Sequence, residues 1–411
     1  MTIEINARPG WHKYTLGGVE IVIDRFHETP RSLYAEIVVR IADEHRLRTE
    51  KDLLSDNGKA SLSRRLRELY SDEGWDEGWD KIVEWVAEDS VRRFREGAPV
   101  LDIGGRPPKG AAKWRLYPIV PEQMPAMLFG AGAALKSWIA MAMSISIQTG
   151  QPMLGWMPIQ GNVLWLDYEM SADEANERMQ RLQAGLDICP GEQLTIRYKY
   201  CDRAFADLVP ELLQEIAENN IKMIVLDSLI AAIVGSSFTD ENIRPLFKAL
   251  RSLGTSSLII SHVNQQQKRD TSTNSRSTYG NVFIENWCRQ MFDVRASEDE
   301  ANPRPVVMVN TKYNLMAKLR PMGYDVNFDD EVGNVSIQRR DIVSMPSDVA
   351  SRVPLGFRIV ELLKRGAMSA SQIAEELAVD EKQVGARLGD MKKTGRVLNP
   401  MRGTWGLAIN D

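Results

Sequence analysis

An apolar run from Ala126 to Phe129 breaks into small residues, Gly130, Ala131, Gly132, Ala133 and Ala134, and closes on Leu135, Lys136 and Ser137 before a helical pattern. A polyphosphate needs several backbone N–H groups turned toward it, a helix N-terminus behind it, one cation on its outer oxygens and a hydroxyl for Mg²⁺. Residues 130–134 can form the cradle, Lys136 supplies the cation and Ser137 the metal ligand. The template for such a loop has glycine where this chain has Leu135. If that position takes a positive φ, leucine carries about 1–2 kcal/mol of backbone strain; if it is right-handed, nothing is lost. The competing reading is an ordinary buried strand, a Gly/Ala turn and a helix with a chance Lys-Ser.

The pattern of the next two hundred residues weakens the competing reading. From about residue 118 it alternates strand and helix, which implies a mainly parallel sheet covered on both faces. Asn162 to Glu169 is an apolar strand ending in Asp167 and Glu169, and such strand ends are where open α/β sheets bind ligands. Glu169 is placed to orient or deprotonate a water, or, with Ser171, to cap the helix through Ala175 to Leu186. Lys222 to Ser228 repeats the design and delivers Asp227 as a Walker-B carboxylate for Mg²⁺. Ser257 to His262 ends in His262, a polar residue able to touch a γ-phosphate. Val282 to Val294 and Pro305 to Asn310 read as two further strands, the second leading into Lys312, and 325–338 as a closing hairpin. Lys312 or Arg320 could stabilise a transition state on a neighbouring subunit, as an arginine finger does.

Together these motifs resemble the RecA-like hexameric helicase ATPases, in particular the plasmid-type RepA replicative helicases, over about residues 120–340. The resemblance implies a RecA-like P-loop NTPase core that binds ATP and Mg²⁺. It makes Lys136 and Ser137 phosphate and Mg²⁺ ligands, Glu169 the catalytic carboxylate, Asp227 the Walker-B acid and His262 the sensor. It further implies a ring oligomer, a hexamer, with loops near 234–240 and 265–280 lining a channel for single-stranded DNA. Independently of it, residues 265–280 form a polar stretch carrying Lys268, Arg269 and Arg276, either a solvated loop or a basic loop for a nucleic-acid backbone.

The flanks read as separate domains. Residues 1–117 form a small α+β domain, with strands at 19–24 and 33–41 and helices at 61–70 and 79–96. It repeats Glu-Gly-Trp-Asp at 73–76 and 77–80, and His12, His27 and His45 lack metal-ligand spacing, which makes them surface or hydrogen-bonded residues. A Gly/Pro-rich linker at 104–110 precedes the core, taken as 118–343. Residues 355–411 look like a winged helix-turn-helix domain, with Ser369 and Asp380 starting its second and third helices. Lys382, Arg387, Lys392, Lys393 and Arg402 are its candidate contacts with duplex DNA, although such domains also dock replication or other proteins. The net charge of −5 excludes a wholesale nucleic-acid coat. Cys189, Cys201 and Cys288 make no disulfide framework, which fits the cytoplasm. No signal peptide or membrane span is expected. Two functions fit: an ATP-driven motor on nucleic acid, and a nucleotide-binding regulator or loader with little turnover.

Overall fold

The computed structural model describes residues 3–8, 10–41, 44–70, 78–97, 113–186, 194–233, 239–262, 282–299, 301–351, 353–401 and 403–408. They divide into two compact units, Met1–Gly110 with Asp207–Glu218, and Ala111–Ala206 with Asn219–Asp411. The 73–80 duplication up to residue 77, the 104–110 linker and most of the 234–240 loop lie outside the described residues.

The first unit is built on a five-stranded antiparallel meander, Glu4–Arg8, Trp11–Leu16, Val19–Glu28, Leu33–Ile41 and Glu44–Asp52. Alternation at period two sends Ile21, Ile23, Ala35, Ile37 and Val39 to one face. There they pack with Leu62, Leu66, Trp79, Val83 and Val86 of the helices Asp56–Tyr70 and Trp79–Glu96. The strands at 4–8, 11–16 and 44–52 carry no clean hydrophobic alternation; the first is almost wholly exposed. His12 is a correction to a surface or hydrogen-bonded residue: it is buried against Phe26, and its Nδ1 has no hydrogen-bond partner among the described residues.

The second unit holds a nine-stranded sheet. In spatial order its strands are Arg197–Tyr200, Asn162–Asp167, Ile221–Asp227, Ser256–His262, Pro125–Gly130, Gln290–Ala296, Arg304–Tyr313, Met322–Asp329 and Asn334–Arg340. The first six run parallel and the last three add antiparallel pairs. Chain order is not spatial order: the strand that feeds the Lys136 loop is separated from the Glu169 strand by the Asp227 and His262 strands. The register brings Asp167 opposite Asp227 and His262 opposite Gly130, so the four motif-bearing strands finish along one edge.

The helix Lys136–Thr149 that leaves the phosphate loop is apolar around its circumference, with Ile139 through Ile147 buried. Gly150, at φ 74°, stops it. One strand expectation fails. Residues 282–294 split into a helix, Val282–Trp287, and the strand Gln290–Ala296. Ile284 and Cys288 are both buried one helical turn apart and Trp287 stacks on Phe247, so packing selects the 3.6 period over the 2.0 period. Among the described residues no helix is long and apolar enough to cross a membrane.

The last part of this unit is the helix Leu355–Leu363, a short strand Met368–Ser369, helices Ala370–Leu377 and Glu381–Lys393, and strands Val397–Met401 and Thr404–Leu407. Ser369 and Gln372 form a capping box, and the Asp380 carboxylate accepts from the backbone of Lys382 and Gln383. Ile359, Leu362, Ile373, Leu377, Val384 and Leu388 close its core.

Candidate nucleotide site

The phosphate loop starts where a strand can no longer carry a side chain. A Cβ on Gly130 would lie 2.1 Å from the carbonyl oxygen of Val294, so glycine is required for the neighbouring strand to approach. Beyond it, Ala133 and Leu135 adopt φ 58° and 60°. Left-handed residues of this kind turn successive N–H groups to one side and build an anion-binding concavity. Leu135, at ψ 22°, is the N-cap of the helix. The costlier of the two possibilities for Leu135 therefore holds, and the chain keeps the loop's shape with a residue that strains it by about 1–2 kcal/mol. Strain of this kind persists where the surroundings over-determine it, as at ligand sites.

Lys136 is 3% exposed, and its ammonium donates to the carbonyls of Ala131 and Gly130 at 2.7 and 3.2 Å and lies 3.4 Å from His262 Nδ1. Burial lowers its pKa to about 8, against the pull of Asp227, Glu169 and Asp293. Ser137 donates its hydroxyl to Asp227 at 2.7 Å. Asp227 is almost fully buried, and that burial raises its pKa to about 6 despite the Ser137 bond, with Asp167 and Glu169 adding repulsion.

The two carboxylates on the next strand separate into different jobs. Asp167 accepts from the backbone N–H of Glu169 and Met170, both at 2.8 Å, and from the Trp165 indole at 3.1 Å, so it pins the turn. Glu169 is thereby left at the edge, where it accepts from the Ser228 hydroxyl and sits 3.6 Å from His262 Nε2. The bond from His262, against burial and with help from Ser228 and Lys136, lowers the Glu169 pKa to about 2. Glu169 is not the helix cap: Ser171 and Glu174 form a complete capping box for Ala172–Gly185.

Lys136, Ser137, Glu169, Asp227 and His262 are thus one cluster. Three members are not singled out by the sequence pattern: Ser228, which holds Glu169; Asp167 in its anchoring role; and Asp293, which faces Lys136 electrostatically and is paired with Arg295. Ser228 directly follows Asp227 and is the most findable of them. Lys312 stands outside the cluster, with its ammonium donating to the Glu285 carbonyl of its own chain. Arg320 lies 3.5 Å from Glu361.

The Ser137–Asp227 pair is the donor set a small hard cation accepts, one hydroxyl and one carboxylate with room left for water and phosphate oxygens. A loop of left-handed residues ahead of a buried lysine suits a nucleotide's phosphates. Residues of the proposed DNA loop, Lys268, Arg269 and Arg276, lie outside the described residues, as does Arg402. On the helix Glu381–Lys393, Lys382 and Arg387 are both exposed, and Arg387 also reaches Gly356, where a Cβ would lie 2.6 Å from its Nε. Lys392 bonds Asn399 at 3.0 Å and Lys393 pairs with Asp390 at 3.4 Å.

Residues 87–268 match the family model described as an AAA domain. No curated protein matches the chain. The match spans the phosphate loop, both carboxylate strands and the His262 strand, and supports a P-loop NTPase family. The mixed, largely parallel sheet is compatible with such a core.

Proposed function

We propose that the chain is an ATP-hydrolysing, RecA-type motor acting on nucleic acid, most concretely a ring-forming replicative helicase of a mobile element or phage. One observation carries the reading: Lys136, the Ser137–Asp227 pair and Glu169 with Ser228 and His262 meet at one sheet edge behind a helix N-terminus. Bound Mg²⁺ would neutralise phosphate charge as the terminal phosphoryl group departs. Lys136 would exchange its two loop carbonyls for phosphate oxygens, and Ser137 and Asp227 would hold the metal. Glu169, ionised over the whole physiological range, would orient and polarise the attacking water. His262 bridges Lys136 and Glu169, so a change at the phosphates would reach the residues after His262 in the chain.

In this reading the ring is a hexamer, single-stranded DNA runs through it against Lys268, Arg269 and Arg276, and the C-terminal winged helix meets duplex DNA or a replication protein through the surface of Lys382, Arg387, Lys392, Lys393 and Arg402. The regulator reading has one specific observation behind it, the strained Leu135, which fits a loop kept for binding more than for turnover.

Steady-state ATP hydrolysis with and without single-stranded DNA, for wild type and Lys136→Ala, tests the proposal. The motor requires hydrolysis that rises with DNA and disappears in the variant. A wild type as inert as the variant, yet thermally stabilised by ATP as a ligand selective for the folded state must do, would replace the motor by the regulator.

A further inference from the structure

Lys312 and Arg320 are two cations at the antiparallel end of the sheet, and the structure treats them differently. Lys312 is tied to the Glu285 carbonyl, and burial lowers its pKa. Its charge is already used inside its own chain.

Arg320 has a fixed base and a loose tip. On one side, the backbone N–H of Leu319 bonds Asn310 Oδ1 at 3.3 Å, and Asn310 is itself fully buried and held by Gln290 and the Met291 and Lys312 carbonyls. On the other side, the strand Met322–Asp329 begins two residues later. The guanidinium is 69% exposed and meets the Glu361 carboxylate at 3.5 Å. Glu361 sits on the helix Leu355–Leu363, is 18% exposed and is also held by Lys364 at 2.6 Å. That helix is fastened by Ile359, Leu362 and Leu363 in the C-terminal core and by Phe357 against Val307, Val309 and Ile342. The carboxylate therefore stays in place, and the arginine is the partner able to leave.

We propose that Glu361 is a positioning residue for Arg320. By holding the guanidinium loosely, the C-terminal helix sets what fraction of it is free to reach the phosphates bound by a second copy of this chain. The inference rests on the motor reading and adds the C-terminal domain as a control on its rate. An exposed pair at this distance is weak, so a polyphosphate carrying several negative charges competes with Glu361 for the guanidinium. The tethered fraction nevertheless lowers the apparent rate in proportion to its population. A contact of that strength predicts a change of about two- to fivefold.

The test is steady-state Mg–ATP hydrolysis by the full chain, for wild type, Glu361→Gln, Glu361→Asp, Arg320→Gln and the Glu361→Gln/Arg320→Gln double variant. Glu361→Gln should raise kcat about two- to fivefold with KM for ATP unchanged, the gain shrinking as salt screens the pair in wild type. Glu361→Asp should restore the wild-type rate. Arg320→Gln should lower kcat by about 10³-fold or more, and the double variant should match it. An unchanged or lower rate in Glu361→Gln, an equal gain in the Arg320→Gln background, or a wild-type rate in Arg320→Gln would each overturn the inference while leaving Lys136-dependent hydrolysis, and so the motor, intact. Absence of any Lys136-dependent hydrolysis in wild type would remove both.

Discussion

Asp89 in the first unit and Asp227 in the second are both almost fully buried, 6% and 3% exposed, yet their surroundings push them in opposite directions. Burial works against the charge of Asp89, but bonds from Arg93, Arg92 and the Tyr14 hydroxyl outweigh it and hold the pKa below the usual carboxylate value. Burial also works against the charge of Asp227, whose partner is a hydroxyl and whose nearest charged neighbours include two more carboxylates, and its pKa rises to about 6. Asp89 is a closed structural network. Asp227 has no ion pair among the described residues, and a divalent cation shared with Ser137 is the partner its chemistry fits. Burial alone therefore does not mark a functional acid. The balance between desolvation and the partners supplied by the fold does.

Neutralising each acid breaks the comparison most sharply. Asp227→Asn should cut kcat for ATP hydrolysis by about 10²- to 10³-fold, as losing one transition-state ligand does, while leaving or raising thermal stability without nucleotide, since the desolvation cost of a buried charge is removed. Asp89→Asn should leave hydrolysis within about twofold and destabilise the fold, because the buried carboxylate loses its charge-assisted bonds from Arg92 and Arg93. Denaturant titration beside an ATPase assay checks both. Opposite assignments, with stability lost at Asp227 and turnover lost at Asp89, would end the distinction.

A smaller effect is expected at Tyr14. Tyr14→Phe removes bonds of 3.0 and 2.8 Å to Asp89 and Ser90 and should cost about 1–2 kcal/mol with no change in turnover. At Leu135, glycine relieves about 1–2 kcal/mol of left-handed strain but costs up to about 1 kcal/mol in unfolded-state entropy. Leu135→Gly should therefore stabilise by less than about 1 kcal/mol and alter kcat less than about threefold. A jump of orders of magnitude in kcat would favour the regulator reading. The smallest effect is on pH dependence. A depressed pKa in the folded state contributes stability that is present above the unfolded carboxylate value near about 4 and is lost as pH falls through the folded one. Asp89→Asn should accordingly flatten the acid limb of stability against pH below about 4 and leave the neutral region parallel to wild type.

The site is legible in the sequence to the extent that it follows strand ends. An apolar run closing in a polar residue specifies which side chain reaches the sheet edge, and so Glu169, Asp227 and His262 can be placed beside Lys136 and Ser137 from the chain alone. What period and spacing do not encode is how neighbouring strands share work. Asp167 and Glu169 look equivalent in the chain, and only the turn's two N–H bonds to Asp167 separate anchor from actor. Residues 282–287 read as strand because a short apolar run fits either period until Trp287 finds Phe247. The polar strands at 4–8 and 44–52 are invisible in the pattern because edge pairing, not a buried face, makes them strands. Lys312 lies at a strand end, and a single carbonyl on another element takes its charge.

Single-turnover hydrolysis of prebound Mg–ATP by wild type and Glu169→Gln tests the central claim most directly. If Glu169 is the catalytic carboxylate of a site formed by Lys136, Ser137 and Asp227, wild type releases phosphate while the variant holds intact ATP, with a rate lower by about 10²- to 10⁴-fold. Equal rates from the two proteins, at equal ATP occupancy, would contradict it.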